Sequence, residues 1–342
     1  MYKFTFIIIS LIFFSYKSCK AQNIGTALDK IFLSYIDSGF SGVAIVVKND
    51  IVVLQKAYGF ANEEKKILNS TKTLFNVASI GKQFTAATVL KLEEKGMLNT
   101  KDYVAKYVGK LGGLKDSATI EHLLLHTSGL FVEGFDLDYS SRDVYIASVS
   151  KSPIESKPGE KHRYSNAGYN LLAAVVEIVT KEPFEDVLHK MIFQPAGMNY
   201  TGYPWEYRIT KNLLATGYTG KGEAQPPEIN IWGNRGPGNI VINTEDMLKW
   251  YRAAWIGDKI ISQKIKERML KDHIPGKETF SWGKAITATG KKQYYKGGGR
   301  ADFQSQVMWW PEDKVFLFFS INRDKDLRRS IFKDINTFMN KL

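Results

Sequence analysis

The two ends of the chain carry the apolar patterns of β-strands. Residues 41–59, SGVAIVVKNDIVVLQKAYG, contain two β-branched runs that meet at Asn49-Asp50, a dipeptide typical of tight turns. Toward the C-terminus, Pro311 to Lys314 divides the last of three further apolar stretches into a predicted hairpin. Those stretches are FSWGKAITA, QYYKGGG and FQSQVMWWPEDKVFLFFSIN. Helical spacing from Ile24 to Ser38, and again from Asp326 to Lys341, predicts a helix before and after the strands.

The middle of the chain, about residues 78 to 250, has mostly helical periods broken by loops. Examples are FTAATVLKLEEKGM, IEHLLLH and AGYNLLAAVVEIVTK. Strands at both ends with helices between them predict an α/β (α+β) fold. One antiparallel sheet with flanking helices is expected from about residues 22–76 and 250–342, with a mainly helical lobe, about 77–249, inserted between them. The junction of sheet and lobe is the expected place for a cleft that binds a small molecule.

The first 21 residues have the pattern of a secretory signal peptide. Lys3 precedes the apolar run FTFIIISLIFF, and a small-residue site ending at Ala21 follows it. The run has 11 residues, whereas a membrane span needs roughly 20. We therefore expect cleavage after Ala21, one domain over residues 22–342, and a secreted or periplasmic location. The alternatives are an uncleaved membrane anchor and a lipoprotein modified at Cys19, although the residues before Cys19 fit a lipobox poorly.

Cysteine content and charge narrow the function classes. Cys19 is the only cysteine, so a cleaved chain has no disulfide, no thiol nucleophile and no cysteine-bound metal. The net charge is +12, of which Lys3, Lys17 and Lys20 contribute three, leaving +9 after cleavage. A basic exported protein is expected near anionic envelope polymers rather than on nucleic acid. Because the charge is spread along the chain, a solvated surface is the simpler interpretation.

The stretch VASIGKQFT, residues 77–85, contains a candidate nucleophile. Ser79 precedes Lys82 by three residues at a predicted helix start, a spacing that places both side chains on one face. A neighbouring amine is able to activate a serine hydroxyl, and the N–H groups of a helix N-terminus favour an oxyanion. Asn76 is a candidate cap of this helix. The same spacing also occurs at Ser148, Ser281 and Ser330, so it does not establish the role alone.

Two further stretches carry candidate chemistry. HRYSNAGYN offers Tyr164 as a proton relay and Asn166 as a hydrogen-bond donor to a carbonyl, at a loop-to-helix junction. The alternative is a buried tyrosine with a capping asparagine. YYKGGGRADF provides a strand on which Lys296 is a cation, while Gly298 and Gly299 let a substrate backbone lie along the strand edge. The alternative for these glycines is a bulge or a tight bend.

Ser-x-x-Lys, Tyr-x-Asn and Lys-x-Gly, in this order, resemble the signature of active-site serine penicillin-recognising enzymes. The tyrosine form is similar to class C β-lactamases, their D,D-peptidase relatives and related esterases. Other stretches resemble the same family, namely LFNVASIGKQFTA, IEHLLLHTSGL, FQPAGMNYTGY and GPGNIVINTEDMLKW. The resemblance extends from about residue 40 to residue 322.

This resemblance implies a two-step acyl transfer that needs no cofactor and no metal. Ser79 attacks a carbonyl while Lys82 and Tyr164 share the proton transfers, and which of these two is the principal base stays open. Asn166 holds the carbonyl group of the substrate, and Lys296 stabilises the anionic tyrosine and attracts a substrate carboxylate. The backbone N–H groups of the serine and of the last glycine in the strand, Gly299, bind the oxyanion, and water then cleaves the acyl-enzyme.

Some positions depart from the family pattern. Gly297 stands where the Lys-Thr-Gly form has a hydroxyl for a β-lactam or peptide carboxylate, which argues against efficient β-lactamase activity. Lys296 stands where many esterase-like relatives have histidine, which favours the peptidase and lactamase branch. Arg300 binds a carboxylate or, more simply, pairs with Asp302. His122 and His126 have i, i+4 spacing at a helix end, which is interpreted as structural rather than metal-binding.

These observations predict an exported serine hydrolase that cleaves an amide or ester of a small molecule or peptide, with cell-wall peptide as a candidate substrate. The alternatives are a carboxylesterase of the same family and a non-catalytic module that binds wall peptide. A membrane contact is expected only through an uncleaved leader, and the oligomeric state is not indicated. The segments Phe131–Pro158 and Tyr200–Trp232 are expected to line the cleft.

Overall fold

The computed structural model describes residues 23–130, 140–226, 228–274, 276–323 and 327–341. Its main sheet has six antiparallel strands in the order β2-β1-β10-β9-β8-β7. These strands are β1 (Gly42–Lys48), β2 (Ile51–Tyr58), β7 (Gly283–Ile286), β8 (Lys292–Gly299), β9 (Gln304–Trp310) and β10 (Val315–Ile321). Two short pairs lie outside it, formed by β3 (Phe60–Asn62) with β4 (Ile67–Leu68) and by β5 (Phe75–Asn76) with β6 (Val241–Ile242).

Helices precede the sheet, follow it and fill the insertion. They are α1 (residues 23–33), α2 (Lys82–Glu94), α3 (Ala105–Val108), α4 (Ile120–Leu124), α5 (Arg142–Lys151), α6 (Asn166–Thr180), α7 (Phe184–Leu188), α8 (Gln194–Ala196), α9 (Thr244–Trp250), α10 (Gln263–Leu270) and α11 (Leu327–Met339). Wider turns continue two of them, at His189–Phe193 and Tyr251–Ile256. Tighter 3₁₀ turns lie at Ala78–Gly81, Gly113–Ser117, Lys211–Leu213 and Trp232–Asn234.

The central strands are continuously apolar because both faces of the sheet are covered. In β1, Val43 and Ile45 belong to the core shared with the helical lobe, whereas Ala44 and Val46 belong to a second core with α1 and α11. Successive strand residues point to opposite faces, so burial on both sides removes the polar alternation of a half-exposed strand. The Asn49-Asp50 turn has φ of 52° and 63°, the left-handed conformation that a two-residue hairpin requires.

The predicted fold class is confirmed: an antiparallel sheet built from both chain ends carries flanking helices, and the insertion between β2 and β7 is mainly helical. The first helix ends at residue 33, earlier than the predicted Ser38. The last helix spans Leu327–Met339, and its predicted start at Asp326 lies outside the described residues. The predicted leader, residues 1–21, also lies outside them. Within the described ranges, every helix is too short or too polar to cross a membrane.

Candidate active site

Ser79 lies in the 3₁₀ turn Ala78–Gly81, which leads directly into α2. The preceding Ala78 has φ of 45°, a left-handed conformation that is uncommon for a residue other than glycine and is concentrated at functional sites. Asn76 Oδ1 accepts a hydrogen bond from the Ala78 N–H at 2.8 Å. The prediction that Asn76 caps a helix is therefore wrong, because its side chain supports this turn instead.

Lys82 is completely buried, and its amine has three hydrogen-bond acceptors. Nζ lies 3.2 Å from Ser79 Oγ, 2.8 Å from Asn166 Oδ1 and 2.8 Å from the carbonyl oxygen of Pro237. Burial lowers the pKa of Lys82 below its ordinary value. Two N–H groups of Lys82 donate to the Asn166 amide oxygen and the Pro237 carbonyl oxygen, so the remaining tetrahedral position of Nζ faces Ser79.

Tyr164 approaches the same serine from a second direction, with Oη 2.8 Å from Ser79 Oγ. The amines of Lys82 and Lys296 lie 4.8 Å and 5.0 Å from the centre of its ring. Burial raises the pKa of Tyr164, but the charges of the two lysines outweigh it and leave the pKa below the ordinary 10.0. The phenolate of Tyr164 therefore forms at a lower pH than that of a free tyrosine.

The start of α6 fixes the positions of Tyr164 and Asn166. Ser165 is the N-cap of this helix, and its Oγ accepts a hydrogen bond from the Gly168 N–H at 3.1 Å. Asn166 is the first helical residue, and its Oδ1 points to the Lys82 amine. The interpretation of Asn166 as a helix cap is therefore wrong, since Ser165 has that role.

The backbone of strand β8 packs directly against the turn Ala78–Gly81 that contains Ser79, here called the nucleophile turn. A Cβ atom on Gly298 would lie 2.0 Å from the Val77 carbonyl oxygen and 3.2 Å from the Ser79 nitrogen, so only glycine fits. A Cβ atom on Gly299 would meet nothing within 4 Å, because this residue borders the cleft beside the serine. The bulge proposed as an alternative for these glycines is absent from the β8–β9 register over Tyr294–Gly299.

Lys296 is buried and forms an ion pair with Glu278, with Nζ 2.7 Å from Oε2. Burial lowers its pKa, but Tyr164 and Glu278 outweigh burial, so the pKa of Lys296 is raised. The expectation that Lys296 attracts a substrate carboxylate is opposed by this contact, because Glu278 already neutralises the amine. Its proximity to the Tyr164 ring is compatible with the expected stabilisation of the phenolate.

The cleft at Ser79 is a cavity of about 210 Å³. Its lining includes Ser79, Asn166, Asn170, Asn239, Gly299 and Arg300. One wall is the loop 233–239, whereas none of the described residues of the predicted cleft segment Tyr200–Trp232 belongs to the lining, so the prediction for this segment is wrong for this cavity. The other predicted segment, Phe131–Pro158, contributes none of its described residues to this cavity, and residues 131–139 lie outside the described ranges.

Sequence reasoning missed several contributors to the cleft. Asn170 lies one helical turn after Asn166 on α6, an i, i+4 spacing that could have revealed it. Arg300 pairs with Asp302 at 2.9 Å, as its simpler interpretation predicted, and also with Glu228. The Arg300 guanidinium further donates to Asn239 Oδ1 at 2.8 Å. No local pattern signals the contacts of Arg300 with Glu228 and Asn239, because they join distant parts of the chain.

Within the described residues, no group of three or more histidine, cysteine, aspartate or glutamate side chains is arranged to hold a metal ion. His122 instead takes part in a capping box at the start of α4, where its Nδ1 accepts the Thr119 N–H at 3.2 Å.

Comparison with known proteins shows the family of the chain. The family model named Beta-lactamase matches residues 28–336. A Bacillus subtilis (strain 168) protein, "Putative penicillin-binding protein PbpX", is 34% identical over 235 residues, which cover 68% of this chain and 59% of that protein. The matched region spans about half to three fifths of the length of the curated relatives, from 48% to 59% in two of them.

Two solved structures are similar across almost the whole chain. FmtA from Staphylococcus aureus is 27% identical with a TM-score of 0.77, and the match covers 90% of this chain and 88% of FmtA. A class C β-lactamase is 19% identical with a TM-score of 0.80 over 93% of this chain and 96% of that one, which shows a shared fold. The chain belongs to the β-lactamase family of serine hydrolases, and its relative PbpX carries the name of a penicillin-binding protein.

Proposed function

We propose that this protein cleaves an amide or ester bond through an acyl-enzyme on Ser79. The observation that carries the proposal is the position of Ser79 Oγ between two titratable groups, 3.2 Å from Lys82 Nζ and 2.8 Å from Tyr164 Oη. A serine with a structural role needs neither a buried amine nor a phenol. Both groups have a lowered pKa, which brings their basic forms closer to neutral pH.

In acylation, Ser79 Oγ forms a bond to the carbonyl carbon as its proton passes to the Lys82–Tyr164 pair. The tetrahedral intermediate then expels the alcohol or amine, which takes that proton from the pair. In deacylation, water attacks the acyl carbon, loses a proton to the pair, and Ser79 recovers it as the carboxylic acid leaves. Because Lys82 and Tyr164 interact through the same oxygen, they titrate as a unit.

The developing oxyanion would be held by the backbone N–H groups of Ser79 and Gly299. The close packing of Gly298 on the Ser79 turn supports this assignment, because it fixes the end of β8 against the nucleophile. A single oxyanion-hole donor is worth about 10²- to 10³-fold in kcat. The geometry of this backbone contact is therefore as important as the side chains.

The lining of the cleft favours an acyl group that carries its own amide. Asn166 and Asn170 project from successive turns of α6, and Asn170 is 2% exposed with no hydrogen-bond partner for its Oδ1 within the described residues. A buried amide oxygen without a partner favours a ligand that donates a hydrogen bond. A peptide is such a ligand, and PbpX carries the name of a penicillin-binding protein. We therefore propose an exported enzyme that acts on cell-wall peptide, with export inferred from the predicted leader.

A carboxylesterase is the second candidate, and the surroundings of Gly297 favour it. Gly297 has no side chain, so no hydroxyl stands at this position for a substrate carboxylate, and an added Cβ atom would lie 2.3 Å from Nη1 of Arg328. Lys296 is paired with Glu278, and Arg300 is paired with Asp302. A substrate without a carboxylate leaves these ion pairs intact.

Measurement of kcat/KM for three substrate classes tests the proposal. The substrates are a short-chain nitrophenyl ester, an N-acylated peptide amide and a D-alanyl-D-alanine peptide, with Ser79→Ala as the control. Turnover of a peptide by the wild type alone supports the peptidase function, and turnover restricted to the ester supports the esterase. Equal peptide affinity in both proteins without turnover of any substrate overturns hydrolysis in favour of a binding module.

A further inference from the structure

His126 follows α4 and is buried beside the proposed active site. Its side chain is 1% exposed, and its backbone has φ of 57°, in the left-handed region. The histidine lies against the segment that carries Tyr164, and it does not contact Ser79 in any hydrogen bond of the described residues. Its position therefore allows it to act on the site only through its neighbours.

His126 holds the chain on both sides of Tyr164. Its carbonyl oxygen accepts a hydrogen bond from the Arg163 N–H at 2.8 Å, and its Nδ1 accepts one from the Ser165 N–H at 3.0 Å. Its ring lies against the Tyr164 ring with centroids 4.4 Å apart and planes inclined by 31°. Two backbone bonds and one ring contact thus fix the position and the plane of the phenol.

The hydrogen bond from Ser165 also fixes the tautomer of the imidazole. Because Nδ1 accepts, a neutral ring carries its proton on Nε2. This atom lies 3.8 Å from Glu278 Oε2, beyond hydrogen-bond distance, and has no hydrogen-bond partner within the described ranges. Burial and the charges of Lys296 and Lys82 hold the pKa of His126 well below 6.5, which keeps Nδ1 available as an acceptor.

We propose that His126 is a positioning residue that holds the Tyr164 hydroxyl within reach of Ser79. The proposal rests on the proposed function, since Tyr164 matters only if Ser79 is acylated. Its physical basis is the sensitivity of catalysis to geometry, because a displacement of about 1 Å costs roughly 10²-fold in rate. A tyrosine released from the imidazole would lose the anchor at Ser165 and the ring that sets its plane, and would keep only the Arg163 bond to the His126 carbonyl.

Three variants separate the two contacts. His126→Asn keeps a side-chain acceptor for Ser165 and tolerates the left-handed backbone, but it removes the ring. His126→Phe keeps a ring and removes the acceptor, and His126→Ala removes both. His162→Asn is the matched control, because His162 contacts the His126 ring edge-on, with centroids 6.1 Å apart, and has no contact with Ser79 in the structure described.

The measurement is the rate of acylation by a nitrophenyl ester as a function of pH, together with kcat, KM and thermal stability. We expect His126→Ala to lose about 10²-fold in kcat with little change in KM. His126→Asn should recover at least tenfold of that loss, and His162→Asn should stay within about threefold of wild type. If His126→Phe does not fold, the comparison of Asn with Ala carries the same test.

Acylation of His126→Ala at the wild-type rate would overturn the positioning role. Equal losses in the Asn and Ala variants, in proportion to their losses of thermal stability, would also overturn it, because they would indicate a purely structural residue. Failure of the proposed function looks different. In that case a fluorophosphonate would label neither the wild type nor any variant.

Discussion

Gly298→Ala is expected to disable acylation while the protein still folds. The added Cβ atom would lie 2.0 Å from the Val77 carbonyl oxygen and 3.2 Å from the Ser79 nitrogen. Non-bonded heavy atoms are at their best separation at about 3.5 Å, so the end of β8 must move away from the nucleophile turn by 1 Å or more. That movement would separate the Gly299 N–H from the oxyanion, and the two effects together predict a loss of about 10²- to 10³-fold in acylation rate.

The stability change should be much smaller than the loss of activity. Overpacking of one methyl group typically costs about 1–3 kcal/mol, which a folded domain of this size tolerates. Gly168→Ala is the matched control, because its added Cβ atom would be 3.5 Å from the nearest atom, an ordinary contact with Leu123. In a helix, this change should stabilise by about 0.5–1 kcal/mol and leave the rate unchanged.

The assay is stopped-flow acylation with a nitrophenyl ester, accompanied by thermal or urea denaturation of each variant. A wild-type acylation rate in Gly298→Ala would refute the reasoning, since the backbone contact would then have no role in catalysis. A comparable loss in Gly168→Ala would refute it as well, because the loss could not be attributed to the contact between β8 and the nucleophile turn.

Three further perturbations have defined outcomes. Lys296→Met removes a charge that lowers the pKa of Tyr164. Acylation that needs the phenolate is present above this pKa and is lost as the pH falls through it, so this limb of the pH–acylation profile should move to higher pH. An unchanged midpoint would contradict this expectation. Gly297→Thr supplies the missing hydroxyl once the flexible Arg328 side chain moves. The ratio of penicillin acylation to ester acylation, measured by intact-protein mass, should rise about tenfold. An unaltered ratio would count against this role of the hydroxyl. Lys115→Met removes a buried amine that donates to three carbonyl oxygens at the end of α5, so urea denaturation should show a loss of about 2 kcal/mol with kcat intact. A stability equal to wild type would contradict that expectation.

The elements of the fold were predictable where burial dictates the sequence. Strands β1 and β10 read as strands because each is covered on both faces and is therefore apolar throughout. The Asn49-Asp50 turn was predictable because its left-handed backbone demands particular residues. The end of the first helix was less well determined, since the helix period continues into the turns that follow residue 33.

The site was predictable only where its residues form local motifs. Ser79 and Lys82 are three residues apart and meet as their spacing implies. The partners that complete the geometry come from far along the chain: the Pro237 carbonyl is 155 residues from Lys82. His126 lies 39 residues from the Ser165 N–H that it accepts. Such contacts depend on how distant segments of the helical lobe pack against one another, and no sequence period records them.

The most direct test of the central claim is the intact mass of the protein after exposure to a penicillin, a nitrophenyl ester and a fluorophosphonate. We expect at least one probe to add its acyl or phosphonyl mass to the wild type and none to add mass to Ser79→Ala. Lys82→Met should react far more slowly than the wild type, because the hydroxyl loses the amine 3.2 Å away. Equal labelling of Ser79→Ala, or no labelling of the wild type by any probe, would contradict an activated nucleophile at Ser79.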